Sequence, residues 1–167
     1  MRKPAPNNKE FAFGENEFIV SKTDTKGKII YCNEIFINMS AYEESELLGK
    51  PHNIIRHPDM PKTVFKLLWD TIQQGSEIFA YIKNLRKDGG FYWVYAQVTP
   101  TFNSEGDIIG YHSVRRSPNR ESLQKVEEIY RKILEIERSS GIEGGIKFLN
   151  DYLKSLGVEY DEFIFTI

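Results

Sequence analysis

The residues whose types and spacing could do chemistry are concentrated in one stretch, Gly49-Lys50-Pro51-His52-Asn53-Ile54-Ile55-Arg56-His57-Pro58-Asp59-Met60-Pro61. It holds two of the chain's three histidines and three of its seven prolines. Proline fixes φ and removes a backbone donor, so this density describes a constrained connector. Arg56, His57 and Asp59 put a cation, a titratable imidazole and a carboxylate within four residues, beside the apolar pair Ile54-Ile55. We read the stretch as one wall of a ligand pocket. The same residues admit a local use as well, in which Asp59 caps the following helix and Arg56 pairs with it.

The elements that must position this stretch can be read around it. Residues 18–23 and 28–32 alternate as two strands joined by the turn Asp24-Thr25-Lys26-Gly27. Asn33 can cap a helix carrying Ile35, Phe36 and Met39. Residues 43–48 form a second short helix ended by Gly49. Beyond the connector, residues 61–74 are the strongest helix. Pro61 starts it, Val64, Phe65, Leu68, Trp69 and Ile72 make one face, and Gly75 ends it. Strands over 78–85, 91–100 and 108–116 follow, separated by the turns Lys87-Asp88-Gly89-Gly90 and Asn103-Ser104-Glu105-Gly106-Asp107. Two strands, short helices and three strands describe an α+β fold: an antiparallel sheet with helices on one face, plus C-terminal helices.

Side-chain parity suggests where a ligand would sit. With Asn84 opposite Val94, one face of the middle hairpin carries Ala80, Ile82, Asn84, Val94, Ala96 and Val98, and the other carries Phe79, Tyr81, Trp93, Tyr95 and Gln97. On the last strand Gly110, His112 and Val114 share a face. Small residues leave space, and the Asn84 amide in that space needs a partner. A flat heteroaromatic ligand would supply both. Otherwise a core side chain fills the gap and Asn84 bonds backbone.

Composition narrows the function classes. With 167 residues, 40% hydrophobic and 28% charged, the chain is an ordinary globular one with room for a domain and an appendage. A net charge of −2 and a pI near 6.0 argue against nucleic acid as a main partner. The single cysteine, Cys32, excludes an intrachain disulfide and a cysteine-based metal cage. There is no apolar run long enough to span a membrane and no signal peptide, so a cytoplasmic location is expected. No paired carboxylates, nucleophile–base pair or nicotinamide site is legible, which argues against an enzyme.

Together these residues resemble a known family. Thr23-Asp24, Gly27 to Asn33, Phe36, Tyr42, Glu46-Leu47-Leu48-Gly49 and Lys87-Asp88-Gly89 look like a PAS domain over residues 16–116. The unbroken Pro-His-Asn-Ile-Ile-Arg-His-Pro-Asp-Met-Pro, with Trp69 and Lys83-Asn84, is similar to the FAD-binding PAS domains of the Aer type, found in aerotaxis and energy-taxis receptors. The resemblance implies a five-stranded antiparallel sheet cradling a flavin. It implies that Arg56, His57 and Asp59 belong to the stretch needed for FAD. Trp69 would be a pocket-helix residue and Asn84 the amide facing the flavin pyrimidine edge. Asn33 matches the family's Asn at the start of the first helix, although its residue type and place favour a helix cap over a ligand contact. His112 falls where light-sensing relatives carry a polar flavin contact. Phe79 departs from a frequent Trp, which would weaken stacking there. Haem, with His52 or His57 as axial ligand, is the alternative cofactor, and a ligand-free interaction module is the alternative without one.

The rest of the chain is organised around an output. We expect a flexible N-terminal cap over 1–15, a linker helix over 117–140 and a helical tail over 141–167. Leu123, Val126, Tyr130 and Ile133 form a stripe that either packs on the outer sheet face, over Trp93 and Tyr95, or meets another helix. Residues 139–145 read as a break. The apolar tail ending in Phe163, Ile164, Phe165 and Ile167 is either tucked against the domain or a docking peptide. No kinase or cyclase motif is present. The expected function is therefore a stand-alone cytoplasmic PAS sensor that reports redox state to a separate membrane-bound chemotaxis receptor, with a homodimer left open.

Overall fold

The structure is a computed structural model and describes residues 2–167. Five antiparallel strands, β1 (Ile19–Thr23), β2 (Ile29–Cys32), β3 (Ile78–Leu85), β4 (Phe91–Phe102) and β5 (Ile108–Arg116), form one sheet in the order β2-β1-β5-β4-β3. The inner face is covered by α1 (Glu34–Ser40), α2 (Glu44–Leu47), a 3-10 turn (His52–Ile55) and α3 (Lys62–Gln73). Phe36, Met39, Leu47 and Ile55 pack there against Ile19, Ile29, Tyr92, Val94 and Ala96. Leu68 and Ile72 of α3 pack against Ile78 and Tyr111. This is the α+β architecture expected from the order of elements, with the five-stranded antiparallel sheet that the PAS resemblance implies.

The register of the middle hairpin differs from expectation by two residues: Asn84 faces Tyr92, and Val94 faces Ile82. Because strand side chains alternate with period two, a shift of two leaves every residue on its expected face. The last strand is corrected. Val98 pairs with Ser113 and Ala96 with Arg115, so Tyr111, Ser113 and Arg115 look inward. His112, opposite Thr99 and Lys22, looks outward. Both parities of β5 carry apolar residues, so its own pattern could not decide the face.

The β3–β4 part of the outer sheet face is covered by the C-terminal helices α4 (Arg120–Leu156) and α5 (Tyr160–Thr166). Leu123, Val126, Tyr130 and Ile133 join Tyr81 and Trp93 in one cluster, with Tyr95 and Phe79 packed against it. The tail is tucked in, with Phe163 and Ile164 buried in the same cluster. Phe79 therefore stacks on Tyr95 and meets Phe165 on the outer face; it has no part in the inner pocket. The break expected over 139–145 shrinks to one residue, Gly141, at φ 67° and ψ −168°; helix continues through Gly144 and Gly145.

Strand β3 is an edge strand, and unpaired edge groups need partners. Tyr130 donates its hydroxyl to the Tyr81 carbonyl and Tyr160 donates to Phe79, both at 2.6 Å. The N-terminal segment, expected to be flexible, lies along the β3–β4 hairpin. Asn7 N–H donates to the Gly89 carbonyl, Phe11 N–H to Phe91, and Phe91 N–H to Lys9. The Phe11 ring lies 3.5 Å beneath the Arg86 guanidinium. Backbone pairing and a cation–π contact hold a stretch whose composition alone reads as loose.

Candidate functional site

A cavity of about 360 Å³ opens between the inner sheet face, the 49–61 connector and α3. That volume lies within the range of small-molecule sites, roughly 300–1,000 Å³. The sheet contributes Ser21, Thr23, Ile82, Asn84, Val98, Tyr111, Ser113 and Arg115. The connector contributes Pro51, His52, Asn53, Ile55 and Arg56, and α3 contributes Phe65, Leu68, Trp69 and Ile72. Lys26 and Gly27 of the first turn complete the rim. No carboxylate lines the cavity, although three cations do.

Arg56 is half-buried, and its guanidinium lies 3.6 Å over the Phe65 ring. Its Nε is buried without a hydrogen-bond partner among the described residues, and burial pulls its pKa down. It does not pair with Asp59. That carboxylate accepts from Lys83 Nζ at 2.8 Å on the exposed side of the connector. Asp59 does not cap α3 either, since that helix receives no capping bond from the residues just before it.

His57 is buried but lies off the cavity. Its Nδ1 accepts the Asp59 N–H at 3.0 Å, and its ring meets the edge of Phe91. Burial, with Lys83 adding, lowers its pKa to about 4, so the ring is neutral and its proton sits on Nε2. The histidine braces the Pro58-Asp59 turn. Of the three polar groups in the expected wall, only Arg56 reaches the cavity. The reason is local geometry: the 3-10 turn ends at Ile55, and extended backbone at Arg56 sends successive side chains to opposite sides.

Asn84 and Trp69 do reach the cavity. Asn84 is buried near the end of β3 and lines the cavity, and its amide makes no backbone hydrogen bond among the described residues. Trp69 crosses the Tyr111 ring edge-on at 5.5 Å. The turn approaches it so closely that a Cβ at Gly27 would stand 3.0 Å from the indole; Gly27 also has φ 81°. Asn33 is corrected to a structural residue. Its Oδ1 accepts from Phe36 N–H and Val20 N–H, and its Nδ2 donates to the Phe18 carbonyl. His112 is excluded from the cavity by its outward parity.

The residue that sequence reasoning missed is Arg115. It is only 3% exposed and has no carboxylate partner among the described residues. It donates to His52 Nε2 at 3.1 Å, Ser113 Oγ at 3.0 Å and Ser21 Oγ at 2.8 Å, while its Nε has no partner among the described residues. Burial lowers its pKa to about 10, so it remains a cation at neutral pH. Because guanidinium can only donate, His52 Nε2 must be the acceptor. Burial, then the Arg115 charge, lowers the His52 pKa to about 3 and keeps the ring neutral. Outside the cavity lining, Tyr92 holds a buried hydroxyl without a hydrogen-bond partner among the described residues; the Asn84 amide lies near it but outside bonding geometry. Burial pushes that hydroxyl up to about 12. The alternation Tyr111, Ser113, Arg115 was the available signal, usable only once the β5 face was known.

Comparison with known proteins agrees with the fold. A family model described as PAS fold matches residues 29–115. The aerotaxis receptor of Escherichia coli is 37% identical over 83% of this chain, and the nitrogen fixation regulatory protein of Klebsiella oxytoca is 29% identical over 58%. The chain spans about a quarter of the length of these relatives, 27% and 20% respectively. Among solved structures, a light-oxygen-voltage domain studied with a flavin analogue superposes with a TM-score of 0.59 at 21% identity, covering 66% of this chain and 86% of that one. The light-state blue-light photoreceptor Aureochrome1 LOV also gives 0.59, at 23% identity, covering 66% and 89%. At such identities the likeness is one of fold. No helix among the described residues is long and apolar enough to cross a membrane.

Proposed function

The chain belongs to the PAS-fold family, and on that premise we propose that it is a cytoplasmic redox sensor that holds FAD in the inner cavity and signals to a separate chemotaxis receptor. The observation that carries the reading is the Arg56 guanidinium, which lines the cavity, stacks on Phe65 and has no acidic partner among the described residues. A planar donor fork without a carboxylate is suited to an anionic group, and FAD brings a pyrophosphate. Its flat ring would occupy the apolar space beside Ile82, Val98 and Trp69. The Asn84 amide would pair with the ring edge, and Arg115, braced by Ser21, Ser113 and His52, would face it with positive charge. Bound FAD would supply a reversible electron acceptor whose charge changes on reduction. Asn84 and Arg115 are the groups whose hydrogen bonds would respond.

Similarity to the aerotaxis receptor over 83% of the chain supports the chemotaxis assignment. Haem is less well supported. His52 Nε2 already accepts from Arg115, and His57 lies off the cavity with Nδ1 engaged, so neither imidazole offers a free lone pair there. The test is the absorption spectrum of the full chain purified from cells, followed by heat release and identification of the chromophore. Two flavin bands and released FAD are expected. Colourless protein that takes up no FAD on reconstitution would overturn the reading, and a sharp Soret band would replace it with haem.

A further inference from the structure

Helix α3 brings Phe65, Leu68, Trp69 and Ile72 to the cavity, yet it supplies no N-terminal cap of its own: Pro61 occupies the cap position and offers no side-chain acceptor. The cap comes from Glu137 of α4, 74 residues from Thr63 along the chain. Its Oε1 accepts from the Thr63 N–H and the Thr63 hydroxyl, both at 2.7 Å, and its Oε2 accepts from the Lys62 N–H at 3.1 Å. A carboxylate there also lies at the positive end of the helix dipole.

The contact is built from both sides of a pivot. Gly145 packs on Thr63 so closely that a methyl group would run into the Thr63 hydroxyl. Between Glu137 and Gly145 the chain leaves the helical path at Gly141, whose φ of 67° and ψ of −168° belong to a region essentially reserved for glycine. That deviation lets both flanking segments meet one fully buried threonine. The first half of α4 is tied elsewhere, through Tyr130 to the β3 edge.

We propose that Glu137 is a positioning residue for the cavity wall, and that through the Glu137–Thr63 contact the second half of α4, residues 142–156, reports whether the cavity is filled. A ligand pressing on Phe65 and Trp69 shifts α3 along its axis. The cap passes that shift to the segment beyond Gly141, while the stretch before the cap, held on the sheet, stays in place. The identity of the ligand rests on the flavin reading above; the mechanical contact does not.

The test is amide hydrogen exchange on the full chain, with and without added FAD, in three forms: unaltered, Glu137→Ala, and Glu137→Ala with Pro61→Asp, which gives α3 a cap of its own. Losing the cap should speed exchange over 142–156 about 5-fold and weaken FAD by about the same factor. Restoring a local cap should return FAD affinity, yet leave 142–156 fast-exchanging and indifferent to FAD. Residues 120–136 should change little throughout. Recovery of both affinity and the 142–156 response in the double variant would reduce Glu137 to an ordinary cap and overturn the proposal. So would unchanged exchange over 142–156 in Glu137→Ala. Glu137→Gln, which keeps one acceptor oxygen, should fall between the extremes and serves if Glu137→Ala does not fold. Failure of the unaltered chain to bind FAD would sink the flavin reading, while the ligand-free comparison still decides the contact.

Discussion

Lys83, not Arg56, holds the Asp59 carboxylate: the ammonium lies 2.8 Å from Asp59 Oδ2, on the side of the connector away from the cavity. Burial opposes the charge on Asp59, but Lys83 outweighs it and the pKa is lowered. Arg56 is thereby left without an anion. The exposed pair contributes little stability by itself; its consequence is the unclaimed guanidinium in the cavity.

Arg56→Lys should discriminate between ligands. The lysine keeps the charge and loses the fork, so affinity for FAD should fall by about 1.5–3 kcal/mol while affinity for riboflavin, which lacks phosphate, falls much less. Fluorescence titration of both ligands against both proteins gives the comparison. Equal losses would assign Arg56 to holding the connector. Asp59→Asn provides the contrast: it touches neither the cavity nor Arg56 and should affect both ligands alike.

Asn84→Ala should weaken any flavin by about 1–3 kcal/mol, because the ring edge loses its amide partner and the neighbouring Tyr92 hydroxyl is already unpaired. Equilibrium dialysis against riboflavin tests this independently of the phosphate contacts. Undiminished affinity would remove Asn84 from the site.

Arg115→Met should make the bound flavin harder to reduce. Reduction adds negative charge to the ring, and a buried cation with no acidic partner favours that charge. The midpoint potential should become more negative by tens of millivolts in a spectroelectrochemical titration, and Arg115→Lys should recover most of the difference. A potential indifferent to the charge at this position would mean that Arg115 only braces Ser21 and Ser113.

Acid should unfold the protein through its buried histidines. His57 and His52 have pKa values lowered from 6.5 to about 4 and about 3, so the unfolded chain binds more protons than the folded one below pH 6.5. Their contribution is complete above that pH and is lost as the pH falls through about 4 for His57 and about 3 for His52. Across pH 7 to 5 the loss should amount to about 2–4 kcal/mol, measured by urea denaturation at a series of pH values. His57→Asn keeps an acceptor for the Asp59 N–H but cannot titrate, and should flatten part of this dependence. An unchanged slope would mean that His57 is not the group responsible.

The sequence by itself determined the elements and most of their boundaries, because its signals are local. Glycines at the turns, Pro61 at the start of α3 and the apolar spacing of α3 each act within a few residues. It also pointed to Asn84 through strand parity, to Arg56 through the connector and to Trp69 through the family resemblance, and all three line the cavity. The parity of the middle hairpin survived a wrong register because the error was an even number of residues. What only the tertiary structure decided are relations between distant segments. Whether His112 or Arg115 faces inward depends on which β4 residue pairs with Ser113, and both parities of β5 carry apolar residues, so local pattern does not decide it. Whether Asp59 meets Arg56 or Lys83 depends on where β3 passes the connector. The cap on α3 comes from Glu137, far along the chain, and a carboxylate on an amphipathic helix carries no local mark of the backbone it will meet. Local propensity is written into short windows of sequence; the partner of a buried charge is chosen by the packing that buries it.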